Sequence, residues 1–167
     1  LWMIEIRHNL NHGVWRHSWK TMKACLVSSH GGHLYQLWLL REAFKGFEVF
    51  YITYHGFSGS EIRPRYYLNN IGRNPWRMIM AFAMMLRILI KEKPDVVIST
   101  GSEIAVPALF VAKILGIHAI FIESVARILS PSGTGRLVYP IADLFLVQSQ
   151  KLLEKYGSKA RYAGSII

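Results

Sequence analysis

The chain is poor in cysteine and in acidic residues. Its single cysteine, Cys25, excludes a disulfide framework within the chain and is typical of a protein from a reducing compartment. Ten aspartates and glutamates stand against 20 lysines and arginines, so the formal net charge is +10. A positive field of this size attracts polyanions such as nucleic acids, anionic lipid headgroups or diphosphate substrates. Composition alone does not choose among these three classes.

The most apolar run in the sequence is too short to cross a membrane. It extends from Met78 to Ile90, and as a helix it would cover about 20 Å of a hydrocarbon core that is about 30 Å thick. Arg87 interrupts it. Because the run is apolar on nearly every side and has a basic, aromatic rim, it is either a buried core helix or a helix that lies in a membrane surface. The residues we expect to contact a membrane are Trp76, Arg77, Ile79, Phe82, Met85 and Leu86.

The first 21 residues contain no apolar stretch typical of a secretion signal. Met22 is followed at once by KACLVSS, which is typical of the first strand of an α/β domain. We therefore expect residues 1–21 to be an extension of doubtful structure and residues 22–167 to form one domain with a substantial core. The alternative is that the extension is a basic, tryptophan-bearing segment that lies on a membrane surface.

From residue 22 onward, strand-like and helix-like segments alternate. This alternation predicts an α/β fold with a Rossmann-like, mostly parallel sheet. Ligands of such sheets bind in the loops that follow the carboxyl ends of strands. We expect strands at residues 23–28, 48–53, 93–100, 118–124 and 143–149, an edge strand in 160–167, helices at 34–44, 75–92, 105–116 and 150–157, and loops at 54–70 and 125–135.

The stretch SSHGGH, residues 28–33, joins the first strand to the first helix. Gly31 and Gly32 have no side chains, so backbone N–H groups there could approach a phosphate at the start of the helix. The stretch matches neither the dinucleotide fingerprint nor a Walker loop. His33 falls in the first helical turn, where the helix dipole favours the neutral imidazole that a general base requires, and His30 is a weaker candidate. The alternative is an ordinary tight turn with an exposed or capping histidine.

Two later turns carry further polar side chains. In STGSEIAVP, residues 99–107, the polar residues could cap a helix or form an anion pocket. Glu123 ends an apolar strand, where an unpaired carboxylate is costly, and the alternative to a functional role is an ion pair with Arg127 or Arg136. The loop after it offers donors to a phosphorylated or sugar ligand. The donors in these two turns are Thr100, Ser102, Arg127, Ser130, Ser132, Thr134 and Arg136.

Three segments resemble a known family. They are SSHGGHLYQL, KPDVVISTGSEIAVP and ESVARILSPSGTGRLVYPIADLFLVQ, and the similarity covers about residues 22–164. They are similar to the oligosaccharide biosynthesis proteins of the asparagine-linked glycosylation type-fourteen family, including the bacterial PssD- and EpsE-like proteins. More distantly, the order of turns resembles the N-terminal half of the peptidoglycan transferase MurG.

The resemblance implies one half, the acceptor-side domain, of a GT-B glycosyltransferase divided between two chains. A donor-binding partner subunit would form a heterodimer with this chain and supply the UDP-sugar site. UDP-N-acetylglucosamine fits the eukaryotic relatives, and UDP-glucuronic acid or another hexose fits the exopolysaccharide relatives. The acceptor would be a polyprenyl-diphosphate sugar at the cytoplasmic face of the membrane, with the chain attached peripherally. No cofactor, metal or nucleic-acid partner is expected.

By the resemblance, the three turns face the acceptor diphosphate. An inverting transfer needs a base that takes the proton from the acceptor hydroxyl, and His33 and Glu123 are the two candidates. The expected acceptor-binding residues are Gly31, Gly32, Thr100, Gly101, Ser102, Arg127, Ser132 and Thr134. Two other classes of function remain open alternatives: a basic nucleic-acid-binding module and a non-catalytic membrane scaffold for a partner.

Overall fold

The computed structural model describes residues 5–6, 8, 22–56, 62, 64–72 and 74–166. Within these residues, seven strands form one sheet in the order β3-β2-β1-β4-β5-β6-β7. Every neighbouring pair in this sheet is parallel, which confirms the predicted Rossmann-like architecture. The strands are β1 (Lys23–Val27), β2 (Glu48–Tyr54), β3 (Tyr66–Leu68), β4 (Val96–Ser99), β5 (His118–Ile122), β6 (Leu144–Val147) and β7 (Ala160–Tyr162).

Helices cover both faces of the sheet. Strands with continuous apolar sequences, such as VVIS and LFLV, are therefore buried on both sides. The helices are α1 (Gly32–Leu39), α2 (Pro75–Glu92), α3 (Ala105–Ile114), α4 (Gly133–Val138) and α5 (Leu153–Tyr156), with 3-10 turns at Arg41–Phe44 and Gln150–Leu152. Core residues of α2, α3 and α4 pack on one face, and those of α1 and the turn after it pack on the other.

Helix α2 confirms the predicted bounds 75–92. Its sequence explains both ends: the Asn74 side chain accepts hydrogen bonds from the first turn, Pro75 is the first helical residue, and Lys93 ends the helix in the left-handed conformation. No helix in the described part of the chain is long and apolar enough to span a bilayer.

The two sides of α2 differ, which corrects one predicted membrane contact. Met85 is 0% exposed and belongs to the core, so the prediction that it contacts a membrane is wrong: it follows Ala81 by one helical turn on the inward side. Phe82 is half-buried, and its ring lies 6.4 Å from that of Phe110. The outward side is nevertheless apolar, with Trp76 exposed by 73%. Other exposed residues of this side are Ile79, Met80, Met84, Leu86 and Ile90, beside the exposed Arg77.

Two predicted loops need correction. Strand β3 lies inside the predicted loop 54–70. Helix α4 was not predicted: it begins at Gly133, inside the predicted loop 125–135, and extends beyond that loop to Val138. Of residues 1–21, the structure describes Glu5, Ile6 and His8: Ile6 is 0% exposed in the core, and Glu5 pairs with Arg161 at 2.8 Å. The remaining residues of the extension lie outside the described part of the chain.

Candidate functional site

The first and second polar turns meet at the centre of the sheet. Strand β1 pairs with β4, so their carboxyl ends lie side by side. The chain proceeds from β1 toward β2 and β3 on one side, and from β4 toward β7 on the other. This is the topological switch point at which open α/β sheets bind ligands.

His33 and Thr100 join the two turns by reciprocal hydrogen bonds. His33 Nδ1 lies 2.8 Å from the carbonyl oxygen of Thr100. Because a carbonyl oxygen only accepts, Nδ1 carries the hydrogen, and the neutral ring therefore keeps its lone pair on Nε2. Thr100 Oγ1 in turn donates to the carbonyl oxygen of His33 at 2.7 Å. The half-buried imidazole is thus held in the tautomer that can accept a proton at Nε2.

Two glycines shape this site for different reasons. Gly31 has φ 88° and ψ −142°, a conformation essentially restricted to glycine. At Gly101, with φ 119°, a Cβ atom would lie 3.0 Å from His33 Cε1 and 3.2 Å from Nδ1. Gly101 therefore permits the close approach of the imidazole to the second turn.

The start of α1 is open. Gly31 and Gly32 are exposed, and a Cβ added to either would meet no atom within 4 Å. No side chain caps α1. Its first backbone N–H groups are therefore available to an anion placed beside His33.

Glu123 anchors the third loop. It is 1% exposed; its Oε1 accepts from the Ser124 N–H at 2.9 Å, and its Oε2 accepts from the Ser132 N–H at 3.1 Å and the Ser132 hydroxyl at 2.9 Å. The Tyr156 hydroxyl also donates to Oε2. Burial, followed by the bond to Glu123, raises the pKa of Tyr156, so this hydroxyl remains a donor. These bonds replace the ion pair with Arg127 or Arg136 that the sequence left open.

Gly135 completes this anchor. A Cβ on Gly135 would lie 2.5 Å from Glu123 Oε2 and 2.9 Å from Ser132 Oγ, so no larger residue fits without displacing the cluster. Ser132 also caps α4, since its hydroxyl accepts from the Gly135 N–H at 2.8 Å. The first turn of α4 and the carboxylate of Glu123 are therefore one packed unit.

Two buried glutamines, missed by the sequence analysis, connect the first turn to the third. Gln36 Oε1 accepts from the Val125 N–H at 3.2 Å and from Gln148 Nε2 at 3.1 Å, while Gln36 Nε2 donates to the Gly32 carbonyl at 3.2 Å. Gln148 Nε2 also donates to the Glu123 carbonyl at 2.8 Å. Their positions in the sequence could have indicated them. Gln36 lies one helical turn after Gly32, and Gln148 directly follows an apolar strand.

Glu103 is another group that the sequence analysis missed. Tyr54 donates to its Oε1 at 2.9 Å, and the hydroxyl of Ser102 donates to Oε2. Burial opposes ionisation of Glu103, but the bond from Ser102, a backbone bond and that from Tyr54 outweigh burial and lower its pKa. Burial, followed by the charge of Glu103, raises the pKa of Tyr54.

The expected acceptor-binding residues divide into two groups. Gly31, Gly32 and Arg127 are exposed, and Thr134 is half-buried. The hydroxyls of the second group already donate to protein groups: Ser102 to Glu103, Ser132 to Glu123, and the fully buried Thr100 to the His33 carbonyl. The prediction that Thr100 contacts a ligand directly is therefore wrong, because its side chain is committed to the orientation of His33.

Known proteins are similar to this chain in sequence over part of its length, and others in fold. Residues 62–166 match the family described as "Oligosaccharide biosynthesis protein Alg14 like". The UDP-N-acetylglucosamine transferase subunit ALG14 of Candida albicans is 36% identical over 95 residues, which are 53% of this chain and 43% of that protein. The UDP-N-acetylglucosamine–N-acetylmuramyl-(pentapeptide) pyrophosphoryl-undecaprenol N-acetylglucosamine transferase of Oceanobacillus iheyensis is 29% identical over 119 residues, 70% of this chain and 32% of that protein.

A solved structure with a related fold is MurG of Acinetobacter baumannii, with a TM-score of 0.71 at 16% identity, over 84% of this chain and 45% of that one. The likeness identifies the sheet as one Rossmann-like half of a GT-B architecture. The chain spans less than half the length of the relatives named here. Since the family match includes β3 to β7 and two of the three turns, the chain belongs to the Alg14-like family of oligosaccharide biosynthesis proteins.

Proposed function

We propose that this chain is the acceptor- and membrane-binding subunit of a two-chain glycosyltransferase. The complex transfers a sugar from a UDP-sugar to a polyprenyl-diphosphate-linked sugar. The observation that carries the proposal is the juxtaposition of an uncapped helix start with the Nε2 atom of His33, whose Nδ1 is held by the Thr100 carbonyl at 2.8 Å.

In this mechanism the acceptor diphosphate binds the open N–H groups around Gly32, and Arg127 adds a cation. His33 Nε2 takes the proton from the acceptor hydroxyl while its oxygen attacks the anomeric carbon of the donor. The bond from that carbon to the diphosphate oxygen breaks, UDP leaves, and the configuration inverts. The Thr100 carbonyl stabilises the resulting imidazolium because it accepts from the ring.

Glu123 was the second candidate for the base. Its burial and the four hydrogen bonds that its carboxylate accepts favour a structural role instead, since a side chain that is only 1% exposed offers an acceptor hydroxyl little access. We therefore assign the base to His33 and the positioning of the third loop to Glu123.

The donor site belongs to a partner chain in this proposal. Curated relatives are named transferase subunits, and this chain corresponds to less than half of the matching MurG structure. A second Rossmann-like unit that binds the UDP-sugar would complete the cleft. UDP-N-acetylglucosamine, which the names of the relatives contain, is the first donor to test.

The complex would lie at the cytoplasmic face of the membrane, attached peripherally. The exposed apolar side of α2, represented by Trp76, Ile79 and Leu86, would enter the interfacial region of the bilayer. Basic residues at the rim of this side, such as Arg77, would meet anionic headgroups.

The test is sugar transfer from a panel of UDP-sugars to a lipid-diphosphate acceptor, by this chain with and without the candidate partner. We expect transfer only with both chains, and His33→Gln should lower kcat by about 10²–10⁴-fold. His55→Gln, at an exposed histidine stacked on Tyr67, should leave kcat unchanged. Transfer by this chain alone would contradict the two-chain assignment. Full activity of His33→Gln would favour the scaffold, and no transfer in any combination would favour the nucleic-acid alternative.

A further inference from the structure

A cleft separates the end of β3 from the first half of α2. Its volume is about 420 Å³, within the range of small-ligand sites. It lies on neither the His33 site nor the Glu123 cluster. Its lining residues are Leu68, Asn69, Asn70, Arg77, Met80, Ala81 and Met84.

The polar end of the cleft is built around Arg77. Its Nη1 donates to the Asn70 carbonyl at 3.0 Å, which fixes the guanidinium at the rim. A guanidinium has five N–H donors, so this bond leaves others for an anion. The start of α2 itself is already capped, because Asn74 Oδ1 accepts from the N–H groups of Trp76 at 2.9 Å and Arg77 at 3.3 Å. The anion site is therefore the arginine with the neighbouring asparagine amides.

The other end of the cleft is apolar. Leu68 and Ala81 form a buried floor, and Met80 and Met84 remain 60% and 39% exposed above it. Thioether side chains adapt to flexible hydrocarbon chains. A ligand that fits both ends has an anionic head and an apolar tail.

Charge and position point to a lipid of the bilayer. Among the described residues, no acidic side chain lines the cleft. Along α2, the exposed Arg87 and Lys91 lie within about 80° of Arg77 around the helix axis, at 100° per residue. The cleft opens beside the exposed apolar side of α2, so a membrane in contact with that side would present headgroups at the position of Arg77.

We propose that this cleft binds the phosphate of an anionic glycerophospholipid, with an acyl chain against Met80 and Met84. This lipid site rests on the membrane association included in the proposed function, but it requires no transfer activity. It would hold the chain in one orientation on the surface, whereas the apolar side of α2 alone permits rotation about the membrane normal.

The experiment compares the affinity of the full chain for vesicles of phosphatidylcholine and for vesicles that also contain phosphatidylglycerol. The variants are Arg77→Gln in the cleft and Arg87→Gln on the same helix outside it. Loss of any one cation near an anionic surface lowers affinity by about fivefold, since each contributes about 1 kcal/mol. We expect that loss for Arg87→Gln and a loss of more than tenfold for Arg77→Gln on the mixed vesicles. Arg77→Lys should recover only the fivefold part, because it restores charge without the planar fork.

Equal losses for the two glutamine variants would overturn the site and leave only diffuse attraction. Equal affinity of the unmodified chain for both vesicle types would overturn it as well. Release from mixed vesicles by inorganic diphosphate at matched ionic strength would identify a free phosphate ligand and overturn the lipid assignment. Sugar transfer to a short-chain acceptor in detergent, measured in parallel, tests the proposed function separately. If Arg77→Gln and Arg87→Gln lose vesicle affinity equally while transfer is retained, only the lipid site is rejected.

Discussion

Gly101 touches the His33 imidazole at a position where any side chain would push the ring. We expect Gly101→Ala to lower kcat by about 10²-fold in the two-chain assay, because displacement of a reacting group by about 1 Å has an effect of that size. Gly116→Ala is the matched control, since Gly116 has φ 71° but no atom within 4 Å of an added Cβ. Both variants carry backbone strain and should lose thermal stability. Only Gly101→Ala should also lose transfer activity while it is folded. Equal kcat values for the two would contradict the placement of the imidazole.

The Tyr156 hydroxyl is one of four donors to a carboxylate with almost no solvent contact. Tyr156→Phe should lower the free energy of unfolding by roughly 1–3 kcal/mol, the usual cost of leaving such a buried acceptor short of one donor. Tyr162→Phe, at a 40% exposed tyrosine, should change it by less than about 0.5 kcal/mol. Urea denaturation of the three proteins measures both values. A negligible effect at Tyr156 would mean that Glu123 is held by the Ser132 and Ser124 groups alone.

Sequence patterns indicated single candidate residues, but not the partners that hold them in place. The glycine turn and His33 were singled out as candidates because paired glycines between a strand and a helix allow close approach of the backbone to a ligand. The commitment of Thr100 to His33, and of Tyr156 to Glu123, joins residues 67 and 33 positions apart. Such pairs follow from how strands and helices assemble, and a local pattern contains no signal for them.

At the scale of elements, α2 depends on Asn74 for its start. Asn74→Ala should lower the free energy of unfolding by about 0.5–2 kcal/mol, because the N–H groups of Trp76 and Arg77 lose their shared acceptor. Asn74→Asp retains an acceptor at the same position and should restore most of the loss. The measurement is the urea midpoint, combined with vesicle affinity. An unchanged midpoint for Asn74→Ala would show that packing of Met85 and its neighbours, rather than the cap, sets the start of the helix.

Elements with a continuous apolar pattern were predicted, whereas β3 and α4, which lack such a pattern, were not. The strands β4, β5 and β6 and the helix α2 carry long periodic or fully apolar runs. Strand β3 has three residues and follows a polar loop, and α4 begins GTG, a poor helix-forming sequence. Both exist because of tertiary contacts: β3 pairs with β2, and the start of α4 is capped by Ser132 and packs against Glu123.

At the scale of the whole molecule, Glu92 links the first strand, the third strand and α2. Its carboxylate accepts from Lys23 at 2.7 Å, from Arg65 at 2.9 Å and from the Tyr66 hydroxyl. The bond from Lys23, followed by that from Tyr66, lowers the pKa of Glu92 to about 2 from 4.5. A carboxyl whose pKa is lower in the folded state stabilises the fold above the unfolded pKa and ceases to do so as pH falls through the folded value.

Urea midpoints of the unmodified protein should therefore fall as the pH drops from about 5 to 2, and Glu92→Gln should flatten this dependence. The variant should also be less stable at pH 7, because Lys23 loses an ionised partner in a half-buried position. Glu42→Gln is the control, since this exposed glutamate forms only a long ion pair, at 3.9 Å, with the neighbouring Arg41 among the described residues. A parallel pH dependence in Glu92→Gln and the unmodified protein would assign acid destabilisation to other carboxyls.

The pairing of β1 with β4 has a consequence for the order of events during synthesis. His33 leaves the ribosome long before Thr100, and until β4 joins β1 no carbonyl orients the imidazole. A nascent chain that ends within α2 therefore carries the glycine turn and the histidine without a poised base. Under the proposed function, His33 becomes able to accept a proton only when β1 and β4 are paired, so a chain truncated within α2 would contact a membrane surface without engaging the hydroxyl of an acceptor.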